Sequence, residues 1–230
     1  MSCSRRNFLL GTGAVIFTTG VISNTAVASG KKLIASMKDG KIRYGMVHDE
    51  NLCIGCTACT DACREVNKVP EGVTRLKIKR SEAIGEYPNA GYTFERISCQ
   101  HCDNAPCVHV CPTGASYKDP KTGIVDVHHD LCVGCGYCLA ACPYQVRFFN
   151  PETHVADKCN FCRDTNLKNG KQPACVESCP TNALVFGDLN DPSSEISKVI
   201  HSHPVYRMKS ELGTEPKMYK VPNSKGEILG

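Results

Sequence analysis

The chain has 230 residues, enough for one or two domains, with 17 cysteines and no tryptophan. Cysteine usage this far above the ordinary implies that cysteine chemistry, rather than a large aliphatic core, holds the fold together. The formal charge of +4 comes from Lys and Arg scattered without a basic helix or an aromatic–basic interleave, which argues against a nucleic-acid partner.

Ser4-Arg5-Arg6-Asn7-Phe8-Leu9-Leu10 opens the chain and leads into a weakly apolar run to Val27. Paired arginines before such a run mark a twin-arginine export signal. Gly11, Thr12, Gly13, Thr18, Thr19, Gly20 and Ser23 make the run too polar for a membrane span, the alternative being an uncleaved anchor helix. Ala26-Val27-Ala28 is a small-residue cleavage site, so residues 1–28 read as a signal peptide and Ser29 as the mature N-terminus. Cys3 lies in this segment and is set aside as a ligand.

Residues 29–42 are polar and Lys-rich, and Arg43–His48 has strand character. The first cysteine group follows: Cys53, Cys56, Cys59 and Cys63, spaced C-x2-C-x2-C-x3-C, with Arg64 next, read as a solvated residue on a short helix, the alternative being a cation that raises a cluster's potential or docks a partner. Thr74–Arg80 alternates like a half-buried strand, and Tyr92–Ile97 can return against it across a Gly/Pro connection, Ile84 to Gly91. Group two is Cys99, Cys102, Cys107, Cys111 and Pro112, spaced C-x2-C-x4-C-x3-C-P. A hairpin, Ala115–Lys118 and Ile124–Val127 around Asp119–Gly123, delivers the chain to group three. That group is Cys132, Cys135, Cys138, Cys142 and Pro143, spaced C-x2-C-x2-C-x3-C-P. A second hairpin, Val146–Phe149 and Val155 around Asn150–Thr153, leads to group four: Cys159, Cys162, Cys175, Cys179 and Pro180. Its spacing is C-x2-C-x12-C-x3-C-P, with Arg163–Ala174 as a polar surface loop. Leu184–Gly187 makes a last strand; Asp191-Pro192 reads as N-cap and first residue of a helix with Ile196, Val199 and Ile200 on one face. The polar tail, Gly213 to Gly230, is expected to lie along a surface.

The C-x2-C-x2-C-x3-C-P run folds around cubane iron–sulfur clusters. Three closely spaced thiolates each reach an iron of one cluster, while the fourth, a helical turn further on, reaches a second cluster. Gly134 and Gly136 let the backbone approach the sulfides. Four repeats of strand, cysteine group, short helix and strand make two two-cluster ferredoxin units. Structural zinc also uses C-x2-C pairs, but it takes four ligands per closed site and does not need triplets followed by C-P. Disulfides suit an exported chain, yet the twin-arginine route carries proteins already folded around a group inserted in the cytoplasm. No C-x-x-C-H run indicates c-type haem. The eight histidines do not recur at ligand spacing; His128 and His129 read as surface, and so by default do His101, His109 and Lys158, whose places beside cysteines make a hydrogen bond toward a cluster the alternative. Catalytic residues are absent: no nucleophile–base constellation, phosphate loop or paired-carboxylate site occurs. Complete four-cysteine ligation leaves no open iron for a substrate, which favours an electron carrier over an enzyme. An oxidised [4Fe-4S] unit with four thiolates carries a charge of roughly −2, and net charge is one lever on its potential. The holoprotein is therefore acidic despite the formal count. Spacing leaves two pairings open: groups two with three and one with four, or one with two and three with four.

The runs Gly45 to Cys59, Asp61 to Lys68, Cys99 to Cys102, Cys107 to Tyr117, Cys132 to Pro143, Pro173 to Thr181 and Leu212 to Pro216 resemble a known family. It is the iron–sulfur subunits of polysulfide reductase, dimethyl sulfoxide reductase and formate dehydrogenase type. The likeness is greatest to NrfC-like subunits of formate-dependent nitrite reductase systems. The resemblance implies an α+β domain over residues 43–190, made of two intertwined two-cluster ferredoxin-like units, with a C-terminal helix and tail over 191–230. Groups two and three would form the inner unit, about 90–150, and groups one and four the outer unit, about 43–90 plus 150–190. Cys53, Cys56, Cys59 and Cys179 would then hold one cluster, and Cys63, Cys159, Cys162 and Cys175 the next. Cys99, Cys102, Cys107 and Cys142 would hold a third, and Cys111, Cys132, Cys135 and Cys138 the fourth. Some relatives replace one cysteine and carry a three-iron cluster; all sixteen are present here, so four [4Fe-4S] clusters are expected. The implied partners are the twin-arginine export machinery, a multi-pass membrane subunit that oxidises quinol, and a periplasmic multihaem cytochrome that reduces nitrite to ammonium. A molybdopterin reductase for polysulfide or sulfoxide is the alternative acceptor. The implied location is the periplasm, peripherally attached to the inner membrane through a partner.

Overall fold

The computed structural model describes residues 41–88 and 90–223. The expected signal peptide, its cleavage site and Cys3 lie outside the described residues. Group one is entered through β1 (Tyr44–Asp49), which is the centre of a three-stranded sheet. β8 (Leu184–Asp188) runs antiparallel to it, with Tyr44 opposite Asp188 and Val47 opposite Val185. On the other side β9 (Met218–Val221) runs parallel, with Met46 opposite Met218 and Asp49 opposite Val221. Within the tail expected on a surface, Met218–Val221 are thus a buried edge of the main sheet. Its composition misleads because Lys217 and Lys220 are fully buried. Lys220 is neutralised by Glu95, and Lys217 lies 3.4 Å from Asp103. A buried charge is tolerable only when paired in this way.

The remaining strands form two-stranded ribbons as expected: β2 (Leu76–Arg80) with β3 (Phe94–Ser98), β4 (Ser116–Lys118) with β5 (Val125–Val127), and β6 (Phe148–Phe149) with β7 (Ala156–Asp157).

Each cysteine group contributes one helix, and the residue after its last cysteine sets the helix length. α2 (Pro106–His109), α3 (Tyr137–Ala140) and α4 (Ala174–Glu177) are single turns that stop before Pro112, Pro143 and Pro180. Proline lacks the N–H to continue a helix and pushes the residue before it out of the α region. Group one has Arg64 at that place, and α1 (Ala58–Asn67) runs on for ten residues. Arg64 is not simply solvated. Its guanidinium donates to the carbonyls of Val69, Pro70 and Val73 and closes the turn after the helix.

α1 packs on α4, and α2 packs on α3. Two cores follow from these pairs. One gathers Cys59, Cys63, Cys159 and Cys175 with Met46, Leu76, Phe161 and Phe186. The other gathers Cys102, Cys107, Cys138 and Cys142 with Val125, Tyr144 and Ala156. α5 (Glu195–Ser202) covers the sheet with Ile196, which is completely buried against Val47 and Val221. Its N-cap is Ser194, whose hydroxyl accepts from the Ser197 N–H at 3.3 Å, and not Asp191 as the Asp-Pro pair suggests. Asp191 instead accepts from Ser193 in the turn before it. Among the described residues no helix is long and apolar enough to cross a membrane.

Candidate iron–sulfur sites

The four groups share one backbone design. Two residues after the first cysteine of each group the chain is left-handed, at Gly55 (φ 72°), His101 (φ 46°), Gly134 (φ 68°) and Phe161 (φ 57°). This turns both cysteines of the C-x2-C pair to the same side. Three residues after the last cysteine, Gly114, Gln145 and Asn182 are left-handed too, in the groups that carry the proline. That turn lets the backbone N–H of Ser116 and Ala183 donate to the sulfurs of Cys111 and Cys179, each at 3.3 Å.

Two cavities are walled by four cysteines apiece, three from one group and one from another. Cys99, Cys102, Cys107 and Cys142 line one, with His101, Pro143, Tyr144 and Arg147 in the wall. Cys53, Cys56, Cys59 and Cys179 line the other, with His48, Ile54, Ile78 and Pro180 in the wall. Matching cysteine, proline and aliphatic walls suit two copies of one compact group. Cys63 lies among Cys159, Cys162 and Cys175, and Cys138 beside Cys132. No group of three or more His, Cys, Asp or Glu among the described residues converges on a single metal ion.

Burial raises the Cys99 thiol to about 11 and the Cys102 and Cys175 thiols to about 12. Free thiols here stay protonated at neutral pH, whereas a coordinating metal deprotonates a thiol outright. Polar groups stranded in the walls point the same way. His48 is buried with neither ring nitrogen bonded, and burial, reinforced by Arg96 and Lys220, lowers it to about 3. His101 accepts the Val125 N–H at Nδ1, so its proton sits on Nε2, which has no partner. The Arg147 Nη1 and Arg96 Nε groups are also unpartnered. Buried donors of this kind need acceptors, and an inorganic cluster with its sulfides supplies them. The residues present therefore fit [4Fe-4S] clusters.

Several side chains that read as surface residues are interior. Lys158 is 1% exposed and donates to the carbonyls of Val125 and Cys159. His101 is fully buried and stacks on Phe161 with ring centres 3.7 Å apart. His109, His128 and His129 are exposed or half-exposed as expected. Four further residues carried no signal in the repeat. Asn67 donates to the Cys162 sulfur at 3.3 Å, Arg147 to the Cys107 sulfur at 3.1 Å, and Arg96 faces the Cys175 sulfur at 3.8 Å. Arg75 lies near Cys63 and Cys159 and is paired with Asp157 at 3.1 Å.

Residues 52–115 and 91–189 each match a 4Fe-4S dicluster domain family. Fold and sites thus define an iron–sulfur electron-transfer protein of the α+β class, whose two dicluster domains account for four [4Fe-4S] clusters. The sequence is 64% identical to the Haemophilus influenzae protein NrfC homolog, over 98% of its own length and 97% of that protein. It is 61% identical to Escherichia coli protein NrfC over 99% of both. A polysulfide reductase subunit of Wolinella succinogenes is 54% identical, over 81% of the present sequence and 97% of the relative. The protein belongs to the NrfC family of iron–sulfur proteins.

Proposed function

We propose that the sixteen described cysteines form four ligand sets arranged as a wire, with an entry and an exit at opposite ends of the series. Set one is Cys53, Cys56, Cys59 and Cys179; set two is Cys63, Cys159, Cys162 and Cys175. Set three is Cys99, Cys102, Cys107 and Cys142; set four is Cys111, Cys132, Cys135 and Cys138. The packing of α1 on α4 and of α2 on α3 supports this pairing, as do the two four-cysteine cavities.

The observation that carries the wire is burial. All eight cysteines of sets two and three are buried. Cys56 in set one and Cys135 in set four are exposed. Each exposed sulfur sits in the same context, Leu52-Cys53-Ile54-Gly55-Cys56 and Leu131-Cys132-Val133-Gly134-Cys135, with all four aliphatic side chains open to solvent. Apolar rims around a sulfur exclude water where a partner docks. The clusters supply one-electron redox chemistry; the chain's own residues hold the sulfurs, dry the two interior sets and offer N–H groups to the sulfurs.

In the organism, we take the chain to be exported folded by the twin-arginine route, on the strength of Arg5-Arg6 and the following run. In the periplasm it would receive electrons from a multi-pass quinol-oxidising membrane subunit. It would deliver them to a multihaem cytochrome that reduces nitrite to ammonium. Near-complete coverage by the NrfC relatives supports this pathway. The second reading is delivery to a molybdopterin reductase, favoured by 51% identity over 77% of the sequence to a thiosulfate reductase electron transfer subunit. Deleting the gene decides between them. Loss of formate-dependent ammonium formation from nitrite, with polysulfide and thiosulfate reduction intact, supports the first; the reverse pattern overturns it. Replacing Arg5-Arg6 by two lysines should leave the protein in the cytoplasm; unimpaired export of that variant removes the export route.

A further inference from the structure

Arg96, Lys158 and Arg147 are buried, at 1%, 1% and 8% exposure, and none has a carboxylate within ion-pair distance among the described residues. They differ in this from Arg75, Lys217 and Lys220, which pair with Asp157, Asp103 and Glu95. An uncompensated buried cation costs several kcal/mol, so an anion of another kind must face each one. The neighbours available are sulfurs.

Their positions fall into a series. Arg96 faces Cys175 at 3.8 Å and interacts with Cys159 and Cys59, so it stands between sets two and one. Lys158 donates to the carbonyl of Cys159, a member of set two, and to that of Val125, which lines the cavity of set three, so it stands between sets two and three. Arg147 donates to Cys107 at 3.1 Å and interacts with Cys99 and Cys138, so it stands between sets three and four. Every gap of the wire holds one unpaired cation. Each is fixed by neutral acceptors that leave its charge intact: Ser98 Oγ for Arg96, the Val125 and Cys159 carbonyls for Lys158, and Ser116 Oγ at 2.8 Å for Arg147.

We propose that Arg96, Lys158 and Arg147 are gap charges, each raising the reduction potential of the two clusters it separates. Burial alone disfavours the extra negative charge of a reduced cluster, so the two interior sets would be the hardest to reduce and would block the wire. A fixed cation in a low-dielectric gap stabilises the reduced form on both sides. The second and third clusters each lie beside two such charges, and the exposed first and fourth beside one, so the compensation is greatest where desolvation is greatest.

The inference rests on the four ligand sets proposed above, and the two fail differently. A wrong ligand assignment shows in iron and sulfide content; a wrong role for the cations shows as unchanged potentials at full content. The test is an EPR-monitored redox titration of the intact protein carrying Arg96→Gln, Lys158→Gln or Arg147→Gln. Each should lower the reduction equilibrium of its two flanking clusters at least tenfold, which is about 59 mV for one electron, and leave the remote clusters unmoved. Arg96→Lys and Arg147→Lys, which keep the charge, should restore the wild-type values. Should a glutamine variant fail to assemble clusters, Ser98→Asp and Ser116→Asp neutralise Arg96 and Arg147 in place and should lower the same pairs. Unchanged potentials in cluster-replete variants, an equal shift at all four clusters, or unchanged potentials in both aspartate variants would each overturn the proposal.

Discussion

The end loops and the central loops of the proposed wire are built on one backbone and filled with opposite chemistry. In the end loops the left-handed position is Gly55 or Gly134, and the residue between the first cysteine and that glycine is an exposed Ile54 or Val133. In the central loops the left-handed position is His101 or Phe161, and the preceding residue is a buried Gln100 or Asn160. A left-handed conformation costs a residue with a side chain roughly 1–2 kcal/mol. The central loops offset this, because burying Phe161 returns about 1.5–3 kcal/mol and an aromatic pair adds about 0.5–1.5 kcal/mol. The stacked rings also join group two to group four, a contact that glycines could not make. The same turn thus serves as a rim at the ends and as a packed joint in the middle.

The largest effect should come from removing a central sulfur. Cys142→Ser takes the fourth wall from the cavity of Cys99, Cys102 and Cys107, so the cluster of group two should be lost while that of group three persists. Cys135→Ser, at an exposed end, should remove only its own cluster and cost far less folded holoprotein. Iron content with EPR of the reduced protein reads both; selective loss of the group-three cluster in Cys142→Ser refutes the pairing.

Phe161→Ala tests the joint itself. Truncating a buried Phe costs about 3–5 kcal/mol, and here the His101 stack and the edge contact with Phe186 go with it. Ile54→Ala at the end loop should stay within about 0.5 kcal/mol, as exposed substitutions do. Anaerobic thermal unfolding at one scan rate checks the contrast; equal midpoints for the two variants would show that the rings carry no packing load.

Gly55→Ala probes the reverse exchange and should be milder than the Phe161 truncation only if Phe94 can move. A Cβ at Gly55 would lie 2.2 Å from the Phe94 ring, whereas at Gly134 it meets only the His154 carbonyl at 3.1 Å. Gly134→Ala should therefore lose roughly 1–2 kcal/mol from conformation alone, and Gly55→Ala more. The same unfolding measurement ranks them, and the opposite order would sink the steric argument.

The cysteine groups, their helices and the paired ribbons were legible in the sequence because spacing and proline placement act locally. Cys111-Pro112 stops a helix wherever the rest of the chain goes. The buried cations were not legible for a physical reason. Arg96 and Arg147 face sulfurs brought from other groups, and Lys217 and Lys220 pair with the carboxylates of Asp103 and Glu95, far away in the sequence. Nothing adjacent to them in the chain marks them as interior. β9 was hidden by the same two lysines. His101 and Lys158 sit beside cysteines and still read as surface, because a polar side chain next to a ligand carries no record of which way it faces.

The smallest expected effect lies at the entrance to the first end loop, at Glu50. Burial raises its carboxyl above the usual range, opposed by a hydrogen bond from the Tyr206 hydroxyl at 2.7 Å and by the charge of Lys220. The folded state therefore holds this proton more tightly than the unfolded chain. The resulting stability is complete below the unfolded carboxyl value and is lost as pH rises through the folded one. Glu50→Gln keeps an acceptor for Tyr206 and cannot ionise, so the variant should gain on the wild type as pH rises and then run parallel to it. Unfolding midpoints of the two proteins at about pH 5.5 and about pH 8.5 read this linkage. A difference that does not change with pH would mean that Glu50 is as readily ionised in the fold as out of it. The end loop would then enter solvent one residue earlier than its burial indicates.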